Sequence, residues 1–198
     1  DMCIRDSPLN LLTTTELLDI WTTTASWYRA EVNRAQMNLL DSHDVPRALH
    51  TLKGDVAAMK LPMLLLFLQP GAPCIYYGTE VGLAGGPDDD RSSGPEPACR
   101  EAFPWEQPWT ADLCSYVSRL KALRDRWINL GQPLITWNPV GSDGLRASAD
   151  TWRLWINRSR QTDLRCSTAD TANDVICGSF VDGTLRPQSA VVCFTPGA

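Results

Sequence analysis

A chain of 198 residues, 43% hydrophobic and 21% charged, has the composition of a globular protein and the length for one ordinary domain or two small ones. Eighteen basic against 23 acidic side chains leave a formal charge of −5, which gives no electrostatic footprint for nucleic acid or an anionic membrane. The longest apolar stretch, Leu61 to Leu68, carries a proline and falls far short of the roughly 20 residues that span a bilayer.

The chain opens Asp-Met-Cys-Ile-Arg-Asp-Ser, without the basic region and hydrophobic run of a secretion signal. Met2 to Ser7 is also the translation of a common sequencing-adapter end, so residues 1–7 are read as an adapter-derived scar and genuine protein is expected from Pro8. From Thr13 the pattern predicts a helix with Leu17, Leu18, Trp21, Ala25 and Tyr28 on one face, and Thr13 with Glu16 can close a capping box. Met37 to Leu40 reads as a short buried strand of the parallel type. A second helix is expected from Gly54 and Asp55 to Leu68, kinked at Pro62 and stopped by Pro70 and Gly71.

Cys74 to Tyr77 reads as another buried strand, followed by a long segment rich in Gly, Pro and Asp from Gly78 to Pro108. Thr110 then caps an amphipathic helix marked by Leu113, Tyr116, Val117, Leu120, Leu123 and Trp127, with Gly131 and Pro133 as its stop. This order is the α/β rhythm of a parallel sheet. Beyond Gly131, short β-type runs at Leu134–Trp137, Leu145–Ala147, Trp152–Ile156, Val175–Cys177 and Ala190–Phe194 alternate with turn signals such as Ser142-Asp143-Gly144 and Asp182-Gly183. The second half therefore reads as all-β, with a boundary near 130–135.

The seven cysteines form no CxxC pair and only His43 and His50 could join them, so no zinc spacing is present. A mostly reduced, cytoplasmic bacterial protein is the favoured reading, with a disulfide in the C-terminal cluster as the exception and secretion left open. Asp88, Asp89 and Asp90 could ligate a structural calcium, although three adjacent acids more often form a solvated loop.

Chemistry is concentrated in Asn38-Leu-Leu-Asp-Ser-His-Asp-Val-Pro-Arg47, a strand ending in polar groups. In α/β architectures such ends open onto the active-site face. A second cluster runs Gln69-Pro-Gly-Ala-Pro-Cys-Ile-Tyr-Tyr-Gly-Thr-Glu80, then Gly85-Gly86 and Cys99-Arg100-Glu-Ala-Phe-Pro-Trp105. Together these resemble glycoside hydrolase family 13, the α-amylase family, of the α-glucosidase, cyclomaltodextrinase or neopullulanase kind. Ser-His-Asp-x-x-Arg is similar to the motif after the seventh barrel strand, Pro-Gly-x-Pro-x-Ile-Tyr-Tyr-Gly-x-Glu to the eighth strand, and Cys-Arg with Phe-Pro-Trp to the loop that follows.

The resemblance implies the C-terminal part of a TIM (β/α)8 barrel, strands 7 and 8 with their helices, over residues 8–131, and a small antiparallel β-sandwich over 132–198. It implies that Asp44 is the acid favouring the oxocarbenium-like sugar and that His43 binds the same ring. Arg47 is a ligand contact or a structural ion pair, and Arg100 with Glu96 reaches the neighbouring sugar, Glu96 standing where relatives commonly carry aspartate. Tyr76, Tyr77 and Glu80 are expected at the base of the site, and Trp105 and Trp109 in core or loop packing rather than against sugar. The substrate would be an α-glucan or malto-oligosaccharide, with no cofactor required and the oligomeric state open.

Retaining glycosidases need a nucleophile and an acid/base. In the resembled family both lie on the fourth and fifth barrel strands, which have no counterpart here. The chain is thus expected to be part of a retaining enzyme and inactive alone. A transglycosylase, or a non-catalytic relative serving as an interaction subunit, is the alternative.

Overall fold

The computed structural model describes residues 12–85, 98–106, 108–129, 135–149, 152–166 and 173–194. Helix α1 (Thr14–Ser26) starts at the expected capping box: the Thr13 backbone N–H donates to Glu16 Oε2 at 2.8 Å and the Glu16 N–H to Thr13 Oγ1 at 3.2 Å. It buries Leu17 and Trp21 and ends before Tyr28, which is exposed. A short α2 (Ala30–Ala35) leads into β1 (Met37–Leu39), and a single turn, α3 (Ala48–Thr51), follows. Helix α4 (Val56–Leu68) begins where Asp55 accepts from the Ala58 N–H at 3.0 Å, and it runs through Pro62 as one element. Ten of its thirteen residues are buried, so it is an interior helix rather than an amphipathic one.

Strand β2 (Ala72–Cys74) lies parallel to β1, pairing Met37 with Ala72, Asn38 with Pro73 and Leu39 with Cys74. The strand therefore sits two residues earlier than the apolar run Cys74–Tyr77 suggested. Gly71 explains the early start. At φ +98° it turns the chain so that the Ala72 N–H reaches Gln36 O at 2.7 Å, and a Cβ there would collide with that same carbonyl. Among the described residues, 3-10 turns at Thr79–Val81 and Ala98–Arg100 precede α5 (Ala111–Asn129). A parallel pair needs a crossover, and α4 supplies it, with α5 packed against its flank.

The remainder is antiparallel. Strands β3 (Thr136–Val140), β4 (Gly144–Ala149) and β5 (Trp152–Asn157) are followed by β6 (Leu164–Arg165), β7 (Asn173–Cys177), β8 (Phe180–Val181), β9 (Thr184–Leu185) and β10 (Ser189–Phe194). They form one sheet in the order β3-β4-β5-β10-β7 and a small one in the order β6-β9-β8. The 131/132 boundary is not a break in packing, because Leu17, Leu64 and Leu120 share one buried cluster with Leu145, Leu154 and Val192. Polar bonds cross it too. The Thr14 N–H and hydroxyl both reach Ser142 O, at 3.0 and 2.8 Å, and the fully buried Arg158 donates to Leu12 O at 2.8 Å.

Residues 1–11 and 86–97 lie outside the described residues, and with them the scar, Glu96 and the Asp88–Asp90 run. Cys74, Cys99, Cys114 and Cys177 are reduced thiols. Among the described residues no cluster of three or more His, Cys, Asp or Glu side chains could hold a metal, and no helix is long and apolar enough to cross a membrane.

Candidate active site

Where β1 ends, the chain folds into a tight loop closed by a bridge between Ser42 and Val45, with the Asp44 N–H on Ser42 Oγ at 3.2 Å. The loop holds its acid outward: the Asp44 side chain is 55% exposed. His43 Nε2 lies 3.1 Å from Asp44 Oδ2, and Arg100 Nη2 lies 3.5 Å from Asp44 Oδ1. Arg100 arrives from the 3-10 turn after β2, where its Nε donates to His43 O at 3.2 Å. The Cys99 thiol donates to the same carbonyl, also at 3.2 Å. Three of the five candidate residues, His43, Asp44 and Arg100, therefore meet in one solvent-facing cluster drawn from segments 56 positions apart.

Arg47 does not share that opening. It is 0% exposed, its Nη1 donates to Tyr77 O at 2.5 Å, and its guanidinium carbon lies 4.1 Å and 4.7 Å from the centroids of Tyr76 and Tyr77. Two aromatic faces compensate a cation removed from water. Burial and the adjoining Tyr77 hydroxyl push the Tyr76 phenol up to about 12, so that ring stays neutral beside it. Arg47 thus ties the Tyr76–Tyr77 segment that follows β2 to the chain just past the His43–Asp44 loop.

A residue absent from the sequence-derived set completes this support. Asp41 is buried, accepts the Ala48 N–H at 3.0 Å and takes the Thr79 hydroxyl at 2.9 Å. Burial raises its pKa, opposed by the bonds from Ala48 and Thr79 and by the Arg47 charge. It lies in the segment that drew attention, yet its partner Thr79 is 38 positions away, so no local pattern marks its role. A cleft of about 240 Å³, lined by Trp21, Gln69, Trp127 and Trp137, lies elsewhere, beside the start of β2.

A guanidinium and an imidazole thus flank one carboxylate just past the C-terminal end of a strand in a parallel pair, the edge on which α/β folds carry their sites. The α-amylase catalytic-domain family matches residues 5–127, and the chain belongs to that family. A cyclomaltodextrinase from Geobacillus thermopakistaniensis is 41% identical over 101 residues, covering 50% of this chain and 16% of the relative. Neopullulanase 2 from Thermoactinomyces vulgaris is 33% identical over 85% of this chain and 32% of its own length. Among solved structures, the cyclic α-maltosyl-(1→6)-maltose hydrolase of Arthrobacter globiformis in complex with maltose superposes with a TM-score of 0.75 at 25% identity, over 98% of this chain and 44% of that one. The chain therefore spans less than half the length of each of these relatives.

Proposed function

We propose that this chain is the C-terminal part of a retaining α-glucan hydrolase of the cyclomaltodextrinase and neopullulanase kind. In this reading β1 and β2 are barrel strands 7 and 8, residues 8–131 complete the barrel, and 132–198 form the trailing β-sandwich. Asp44 is the stabilising acid. Its exposed carboxylate accepts hydroxyls of the sugar at the scissile bond and strengthens that hold as positive charge develops on the ring. His43 and Arg100 orient the carboxylate and contact the same or the adjoining sugar, with Glu96 as a further contact near Arg100. Arg47 and Asp41 act from beneath as positioning residues. The nucleophile and acid/base come from sequence preceding this chain, and no cofactor takes part in the chemistry.

The observation that carries this reading is the His43–Asp44–Arg100 cluster at the strand ends. Its test is a pair of assays on maltotriose and a cyclodextrin. The 198-residue chain alone should release no sugar, whereas the chain expressed with its contiguous upstream coding sequence should hydrolyse both. In the longer protein Asp44→Asn should lower kcat by about 10²–10³-fold. Turnover by the short chain, or full activity of the variant, would overturn the assignment. Oligosaccharides longer than the substrate would instead indicate transglycosylation, and an inert longer protein would indicate the interaction subunit.

A further inference from the structure

Past Arg100 the chain carries Phe103, Trp105 and Trp109 as a three-ring shelf. Phe103 lies 4.5 Å from Trp105 and 5.6 Å from Trp109 between centroids, and the two tryptophans are 6.4 Å apart. The Trp109 indole N–H donates to Pro104 O at 2.9 Å, which ties the shelf to its own loop. Loop packing, the role the sequence favoured for both tryptophans, accounts for Phe103 and in part for Trp109, but Trp105 is 76% exposed. Phe103, Trp105 and Trp109 thus form a contiguous aromatic patch rather than a lone exposed ring.

Two features identify the partner. The Tyr77 hydroxyl donates to Glu101 O at 2.7 Å, and Cys99 and Arg100 both bond His43 O, so this segment is anchored at the polar cluster. Trp105 lies five positions past Arg100, a reach of no more than roughly 18 Å even when extended. A hydroxyl-binding acidic cluster flanked within that distance by a flat exposed ring matches a sugar chain, whose edges are polar and whose ring faces are apolar. We propose that Trp105, braced by Phe103 and Trp109, is a stacking platform for a glucose unit of an α-glucan whose neighbouring units occupy the Asp44 cluster. The inference rests on the glucan reading of that cluster and adds a residue that fixes which way the chain leaves it.

Limited oxidation with N-bromosuccinimide, mapped by peptide mass spectrometry, tests it on the 198-residue chain. Trp27, 68% exposed at the far end of α1, is the internal standard. Saturating maltoheptaose should slow oxidation of Trp105 at least threefold relative to Trp27, slow Trp109 less, and leave the pattern unchanged when β-linked cellohexaose replaces it. An unaltered Trp105 to Trp27 ratio would overturn the platform, and equal protection by cellohexaose would overturn its assignment to α-glucans. The Asp44 reading is judged separately by turnover. Protection of Trp105 together with an active Asp44→Asn enzyme would remove the catalytic assignment and leave the sugar contact standing.

Discussion

Asp41 shows how one buried carboxylate can tie the candidate site to pH. Its two hydrogen bonds and the nearby Arg47 charge favour ionisation, but burial is the larger influence and raises its pKa. A carboxyl whose folded pKa lies above its unfolded value binds more protons when folded, so its contribution to stability falls as pH rises from about 4 through the folded pKa. In thermal melts across that window, the wild-type Tm should fall relative to that of Asp41→Asn. A gap that instead widened in favour of wild type would mean that Arg47 and Thr79 hold Asp41 ionised. The residues facing solvent here, His43, Asp44 and Arg100, were legible because each lies in a contiguous motif. Asp41 was not, since burial and a partner 38 positions distant carry no signature in local sequence.

Among the elements, those with strong local signals stand where the sequence puts them. The capping box of α1 and the Asp55 cap of α4 are satisfied by neighbours within a turn, and the apolar stripe of α5 is written in its own helical spacing. Helices α2 and α3 and the two-residue strands β6, β8 and β9 are too short for periodicity to register. The start of β2 depended on a left-handed glycine rather than on apolar content. Long-range capping is likewise hidden. Arg124 of α5 donates to Phe67 O at 2.6 Å, to Gln69 O at 3.2 Å and to Gly71 O, satisfying carbonyls at and just beyond the end of α4. Arg124→Met keeps the apolar stem but strips those acceptors, and urea unfolding should report a loss of about 2–4 kcal/mol. A loss below about 1 kcal/mol would show that water replaces the guanidinium there.

At the scale of the whole molecule, the continuous core and the Thr14–Ser142 and Arg158–Leu12 bonds couple the helical layer to the antiparallel sheet. Removing either part would strip apolar faces from the other, so the two should unfold together. Helix content followed by far-ultraviolet dichroism and sheet opening followed by hydrogen exchange of the β5 and β10 amides should share one midpoint, and Arg158→Ala should move both by the same amount. Separate midpoints would divide the chain into independent folding units. The parallel pairing of β1 with β2 has a consequence in time. Parallel neighbours meet only after their crossover is made, and Asp44 and Arg100 stand 56 positions apart. On a ribosome adding 5–20 residues each second, the acid is made roughly 3–11 seconds before its guanidinium, so the cluster cannot close within that interval, and the Thr14–Ser142 and Arg158–Leu12 bonds that clamp the sheet follow it.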